Sequence, residues 1–226
     1  MEKNEIKICC YIALVFSLRI FGLMLILPVI SLYIDNYQGS SELMLGLVVG
    51  SYGIVQALLQ VPLGMISDKI GRTKVIIFGL SMLAIGSFIC FLSTSVYGLI
   101  IGRAISGAGA IGSTLLAALS DNTSSDSRTK AMAILGAFIG ISFFVSLLLA
   151  PVAAVNIGFK QMFLLVMFLS LLALLFSSRF LPKKLTPVNR NNIAIASMLP
   201  AALLNKQLWI IYFGIWVLHA VYTALF

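Results

Sequence analysis

The chain has 226 residues, of which 61% are hydrophobic and only 10% are charged, and its formal net charge is +8. Soluble domains have roughly 25% charged residues, so this composition, with a mean hydropathy of +1.10, excludes a soluble globular protein and indicates a polytopic membrane protein. The basic residues lie between hydrophobic runs rather than on a polar surface, which argues against nucleic-acid binding.

Six hydrophobic runs are long enough to cross a bilayer as α-helices, which takes about 20 residues. They cover residues 8–34, 43–66, 75–92, 97–119, 131–155 and 161–180, and a seventh begins at Leu208. We therefore predict an all-α protein in three parts: a six-helix bundle over residues 1–180, a basic cytoplasmic linker over 181–207 and a partial seventh transmembrane helix over 208–226. The last helix lacks a charged residue at its end, which predicts a truncated chain.

The distribution of basic residues predicts the orientation in the membrane. Twelve of the fifteen lysines and arginines precede the first run, separate runs two and three or four and five, or follow run six. Lys160 is the only one on the opposite side, and Arg19 and Arg103 lie within hydrophobic runs. The positive-inside rule therefore predicts a cytoplasmic amino terminus.

A patterned charged segment separates the second and third runs. Residues 64–74 read Gly-x-x-x-Asp-Lys-x-Gly-Arg-x-Lys. Gly64 and Gly71 are expected to let the backbone turn tightly as a cytoplasmic hinge, with Asp68, Lys69 and Arg72 at the boundary between lipid and water. Asp121, at the end of the fourth run, is predicted to pair with Arg72 and hold helices two to four together.

This segment resembles the loop between helices two and three of the major facilitator superfamily, which reads G-x-L-x-D-R-x-G-R. Residues 101–110, with Arg103 four positions before Gly107, are similar to the intramembrane arginine motif of the same family. Segments 15–22, 27–29, 128–133 and 150–151 resemble its bacterial drug:proton antiporter branch. The resemblance implies a multi-pass protein of the bacterial inner membrane, with an amino-terminal half of two inverted three-helix repeats and a carboxy-terminal half that is missing here.

Proton coupling is implied by the resemblance for Arg103. An arginine within the bilayer costs about 2.5 to 3.5 kcal/mol on insertion scales, so it is expected to face the bundle interior. Helical spacing places Ser106, Ala110 and Ser113 on its face. The alternative is that Arg103 only ties its helix to backbone carbonyls. Arg19 is a similar candidate, and His219, with an unperturbed pKa of about 6.5, is either a proton acceptor or a packing residue.

Small residues predict close helix contacts on the second and fifth runs, which the family uses between its two halves. The residues concerned, with Gly107 and Pro151, are Gly46, Gly50, Gly136 and Gly140. Tyr52, Gln56 and Gln60 form a polar stripe on the second run, which fits either a cavity lining or bonding between helices.

The resulting hypothesis is a proton-coupled secondary transporter that exports small hydrophobic or amphipathic compounds by alternating access, with the lipid bilayer, protons and such a substrate as its partners. The alternatives are an inactive truncated fragment and an importer of a small metabolite. The sequence offers no arrangement typical of a catalytic, metal or cofactor site, so an enzyme is not expected.

Overall fold

A computed structural model of the chain describes residues 2–180 and 204–224, and within them the fold is helical. Five single helices and one interrupted helix within these residues are candidate membrane spans, which confirms the six predicted crossings. The helices in these ranges are α1 (Lys3–Ile26), α2 (Ile30–Tyr33), α3 (Glu42–Ile70), α4 (Arg72–Leu92), α5 (Val96–Gly107), α6 (Gly112–Asp121), α7 (Ser125–Asn156), α8 (Phe159–Phe180) and α9 (Lys206–Ala224).

The chain divides into two units, residues 1–187 and 188–226. Helix α9 belongs to the second unit and covers most of the predicted seventh run, with Phe213 stacked on Trp216 at 6.0 Å between ring centroids. Most of the predicted linker, residues 181–203, lies outside the described residues. The division at 180 and 207 therefore stays a prediction.

Contacts between helices follow the predicted repeat. The extensive contacts join α1 to α7, α3 to α5, α4 to α8, α4 to α5 and α1 to α8. If α1 is exchanged with α5–α6, α3 with α7 and α4 with α8, the same set of contacts results. Because each repeat has three crossings, an odd number, the second repeat enters the membrane from the opposite side, which gives the inverted arrangement.

The outer surface of the first unit is apolar. Large side chains such as Leu32, Leu58, Val155 and Leu175 are exposed, and α3 and α7 are the least buried of the six spans. A surface of this kind is incompatible with water but fits the hydrocarbon of a bilayer, where lipid tails cover it.

The predicted hinge over residues 64–74 is wrong in its extent. Helix α3 continues to Ile70 and α4 begins at Arg72, so Gly71 alone lies between them, with a φ of 101° that favours glycine. Gly64 makes no turn. It lies within α3, where a Cβ would be 3.3 Å from the hydroxyl of Ser113, so its small size serves helix contact.

Two predicted runs are interrupted. The first ends as a helix at Ile26: Leu27 keeps helical backbone angles, but Pro28 has no N–H with which to continue the helical hydrogen bonds. The fourth breaks between Gly107 and Gly112, where glycines lower helix propensity. The break packs against α4, since a Cβ on Gly109 would overlap the carbonyl oxygen of Gly79.

Glycines also set the distance between α4 and α5. A Cβ on Gly86 would overlap the carbonyl oxygen of Gly102 and the hydroxyl of Ser106, and a Cβ on Gly102 would lie 2.5 Å from the sulfur of Cys90. The two backbones are therefore in direct contact, as small residues permit in membrane proteins.

We expect Gly86→Ala to lower the free energy of unfolding by about 1 to 3 kcal/mol, because α4 and α5 must move apart to admit the methyl group. The matched control is Gly53→Ala in α3, where a Cβ meets nothing within 4 Å. The loss of helical circular dichroism on heating the detergent-solubilised chain measures both. Equal midpoints for the two variants would contradict the backbone contact.

Candidate functional site

Two buried arginines meet at one tyrosine in the interior of the first unit. Arg19 of α1 donates hydrogen bonds through Nη2 to the hydroxyl of Tyr52, at 3.0 Å, and to Oε1 of Gln56, at 2.9 Å. The guanidinium of Arg103 lies over the ring of Tyr52 at 4.8 Å from its centroid, and its Nε donates to the carbonyl oxygen of Val48 at 3.4 Å. We call Arg19, Tyr52, Gln56 and Arg103 the arginine centre; it joins α1, α3 and α5.

The arginine centre carries two positive charges that no carboxylate of the described residues neutralises. Arg19 is 5% exposed and Arg103 is 4% exposed, and neither forms an ion pair with a residue that the structure describes. Nε of Arg19 also has no hydrogen-bond partner in that part of the chain. Buried charges are costly unless they are paired, so the centre is a source of positive potential within the bundle.

The space beside Arg103 is small. A cavity of about 10 Å³ is bordered by Arg103, Tyr52, Ser87 and Ser106, among others, which is room for about one water molecule. A drug-sized substrate therefore has no room to contact Arg103 in this conformation. The hydrogen bond from Arg103 to the carbonyl of Val48 fits the alternative in which this arginine only ties its helix to backbone carbonyls.

The predicted polar face around Arg103 is wrong for two of its members. Ser106 follows Arg103 on α5, but Ala110 lies in the helix break and Ser113 lies on α6. Ser113 donates a hydrogen bond to the carbonyl oxygen of Gln60 at 3.0 Å. The break interrupts the helix, so spacing along one continuous helix does not apply.

Arg72 forms a second polar cluster, where α3, α4 and α6 meet. Its Nε donates to Oδ2 of Asp121 at 3.1 Å, its Nη1 donates to the hydroxyl of Ser67 at 2.6 Å, and its Nη2 forms an ion pair with Asp68. The side chains of Arg72 and Asp121 are 8% and 16% exposed, whereas that of Asp68 is 50% exposed. We call Ser67, Asp68, Arg72 and Asp121 the Arg72 cluster; Lys69 is exposed beside it.

The six residues predicted at helix interfaces fall into two groups. Gly107 lies inside the bundle, where a Cβ would overlap the carbonyl oxygen of Tyr52. The other five face away from the rest of the described unit. They are Gly46, Gly136, Gly140 and Gly50, where a Cβ would meet no other helix, and Pro151, which is exposed.

An apolar groove that the sequence analysis missed lies between α1, α7 and α8. It has a volume of about 380 Å³. Ser17 on its wall donates to the carbonyl oxygen of Phe138 at 2.9 Å, which joins α1 to α7. Its apolar residues read as ordinary helix packing in the sequence, so no signal distinguished them. The lining is Leu14, Ser17, Leu18, Phe21, Phe138, Ile141, Ser142 and Leu169.

His219 lies in helix α9, but its side chain falls outside the described part of the chain. Groups of three or more histidine, cysteine, aspartate or glutamate side chains that could hold a metal ion are absent from the residues that the structure describes.

Comparison with known proteins identifies the family. The sequence model of the Major Facilitator Superfamily matches residues 12–226. The chain belongs to this superfamily. It is therefore a transporter sequence rather than an enzyme, as predicted.

Relatives in the Major Facilitator Superfamily agree with a bacterial inner-membrane location. The chain is 37% identical over 227 residues to the inner membrane transport protein YajR of Escherichia coli, covering 100% of this chain and 50% of YajR. It is 31% identical over 137 residues to the class H tetracycline resistance protein of Pasteurella multocida, covering 59% of this chain and 34% of that protein. The chain spans about half the length of the curated relatives it matches.

Solved structures of the superfamily share the fold. The human organic anion transporter MFSD10 superposes with a TM-score of 0.69 at 20% identity, covering 80% of this chain and 48% of that one. A peptide transporter POT in complex with sulfate superposes with a TM-score of 0.70 at 15% identity, covering 96% and 51%. These similarities confirm the predicted six-helix amino-terminal bundle of the superfamily.

The exposure of the two carboxylates that pair with Arg72 predicts how strongly mutations in the Arg72 cluster lower stability. Arg72→Gln leaves the mostly buried carboxylate of Asp121 without its cation and is expected to cost about 3 kcal/mol. Asp68→Asn removes a half-exposed partner and is expected to cost less than about 1 kcal/mol. Thermal unfolding in detergent compares the two variants. An equal loss of stability would mean that Asp121 is not the main partner of Arg72.

Proposed function

We propose that this chain forms the amino-terminal half of a proton-coupled transporter that exports small hydrophobic or amphipathic compounds by alternating access. The observation that carries the proposal is the arginine centre, two buried cations without a carboxylate among the described residues. The amino terminus lies in the cytoplasm under this proposal, following the positive-inside rule.

Proton coupling rests on the electrostatics of the arginine centre. A positive charge favours the ionised form of a nearby carboxyl group and so promotes release of its proton. Arg103, with Arg19 beside the same tyrosine, supplies such a charge inside the bundle. Under this proposal, the acid that carries the proton belongs to the carboxy-terminal half of the transporter, or the proton is accepted by His219.

A hydrophobic or amphipathic substrate is supported by the apolar groove. Its volume of about 380 Å³ suits a small ligand, and its lining has two serine hydroxyls and no charged side chain. The tetracycline resistance proteins among the relatives bear names that fit export of such compounds. The groove is offered as part of the substrate path.

Alternating access needs two halves that rock against each other. The open faces at Gly46 and Gly50 of α3 and at Gly136 and Gly140 of α7 suit close contact with the carboxy-terminal half, with Pro151 on the same helix as the second pair. The Arg72 cluster holds α3, α4 and α6 together as the cytoplasmic gate moves. The exposed carboxylate of Asp68 is then available to that half.

The first test is transport by inside-out membrane vesicles loaded with Hoechst 33342 under an imposed pH gradient. The 226-residue chain is compared with a version completed by the carboxy-terminal half of YajR. We expect the dye to move only with the completed chain, because one half supplies only part of the cavity that lies between the two halves. Absence of dye movement in both, with normal membrane insertion, would contradict the substrate class, and movement by the short chain would contradict the need for a second half.

The role of Arg103 is tested by Arg103→Gln in the completed chain. We expect pH-driven transport to fall at least about tenfold, the effect of one pKa unit at the coupled acid, while substrate counterflow without a gradient persists. Arg128→Gln, which changes an exposed arginine, is the matched control. Parallel loss of driven transport and counterflow would reduce Arg103 to a structural residue.

A further inference from the structure

A second polar pocket lies at the end of the bundle opposite to the Arg72 cluster. It has a volume of about 380 Å³ and is built from three parts of the chain: the connection between α2 and α3, the connection between α4 and α5, and the start of α8. Helix α4 separates the two sites, since Arg72 begins it and Thr94 follows its end, a distance of about 30 Å. We call it the Lys160 pocket, and its lining is Tyr33, Asn36, Tyr37, Thr94, Phe159, Lys160 and Gln161.

Backbone and ring contacts hold the walls of the Lys160 pocket in place. Gln38 donates its backbone N–H to the carbonyl of Thr94, and Val96 donates to the carbonyl of Gln38, both at 3.1 Å. The ring of Phe159 stacks on Tyr33 at 5.4 Å between centroids and meets Tyr37 edge-on at 6.2 Å. The walls of the pocket are therefore fixed by contacts within the chain and do not depend on a ligand.

The polar lining consists of one positive charge and neutral side chains that can donate hydrogen bonds. Lys160 provides an ammonium group, and Asn36, Thr94 and Gln161 provide amide and hydroxyl donors. Among the residues that the structure describes, no carboxylate lines the pocket and none forms an ion pair with Lys160. The first backbone N–H groups of α8, which lack carbonyl partners within the helix, add further positive potential.

Tyr37 adds an unused donor. It is 6% exposed, and its hydroxyl has no hydrogen-bond partner among the described residues. Burial raises the pKa of Tyr37 to about 12, with a smaller contribution from Cys90, so the phenol keeps its proton. The hydroxyl is buried in this conformation, so an acceptor oxygen in the pocket reaches it only when the ring turns, and that contact would recover the free energy that a buried hydroxyl without a partner costs.

We propose that the Lys160 pocket binds a phosphate-bearing anion. A tetrahedral phosphate presents acceptor oxygens in several directions, which matches donors that come from three separate connections, whereas a carboxylate presents only two. The ammonium of Lys160 disfavours a cationic ligand. The volume exceeds that of a phosphate ion and the stacked rings of Tyr33 and Phe159 form an apolar wall, so the pocket also accommodates the glycerol of a phospholipid headgroup.

The test is native mass spectrometry of the purified 226-residue chain in detergent, titrated with phosphatidylglycerol and, separately, with inorganic phosphate or glycerol 3-phosphate. We expect one of the two sources to bind the wild-type chain, and Lys160→Gln to bind it at least about fivefold more weakly, the effect of one lysine near an anionic headgroup. Tyr37→Phe keeps the ring and is expected to weaken the same binding.

The matched control is Lys74→Gln, which removes an exposed lysine at the start of α4, at the other end of the bundle. Binding of phosphatidylglycerol that Lys160→Gln reduces and Lys74→Gln does not identifies a lipid headgroup site. The same pattern with inorganic phosphate or glycerol 3-phosphate identifies a site for a soluble phosphate. Equal effects of both lysine variants, or no binding by the wild type, would overturn the proposal. The outcome does not depend on transport activity.

Discussion

A charge that leaves water must find its partners inside the bundle, and this constraint connects most of the first unit. Arg19 and Arg103 reach the same face of α3 from α1 and α5, so one tyrosine fixes three helices relative to one another. Arg72 does the same for α4, α3 and α6 through Asp68 and Asp121. In a bilayer these polar contacts are specific where the apolar ones are not, since lipid tails satisfy an apolar side chain as well as another helix does.

The Arg72 cluster also shows that local helix preference does not explain where its charges lie. Asp68 is in the last turn of α3, where the helix dipole disfavours a negative charge, and Arg72 opens α4, where the dipole disfavours a positive one. Each charge is unfavourable for its own helix, and their pairing offsets both. An arrangement that opposes local preference in two places is typical of a site that serves function, and it agrees with a gate whose contacts must be able to change.

Composition and spacing predicted the six crossings, because hydrophobic length is a direct consequence of bilayer thickness. The glycines were harder to interpret, since the sequence does not show what each one faces. Gly64 keeps its helical backbone, because a helix within a membrane must satisfy its own backbone hydrogen bonds. The break after Gly107 is tolerated because Gly109, Ala110 and Ile111 are buried against other helices. Whether a glycine stays in a helix or lies in a break therefore depends on its burial, which is set by tertiary packing and cannot be read from the sequence alone.

The two ends of α4 have opposite electrostatic character. At its start, Arg72 pairs with two carboxylates, so the charges at that end compensate one another within the chain. Beyond its end, the Lys160 pocket has a cation without an acid among its described lining residues, which is the basis for the proposed anion site. Helix α4 packs extensively on α8, which begins at the same pocket. Under the proposed mechanism, an anion held there would join the start of α8 to the loop that follows α4 and strengthen the block of helices that moves as one.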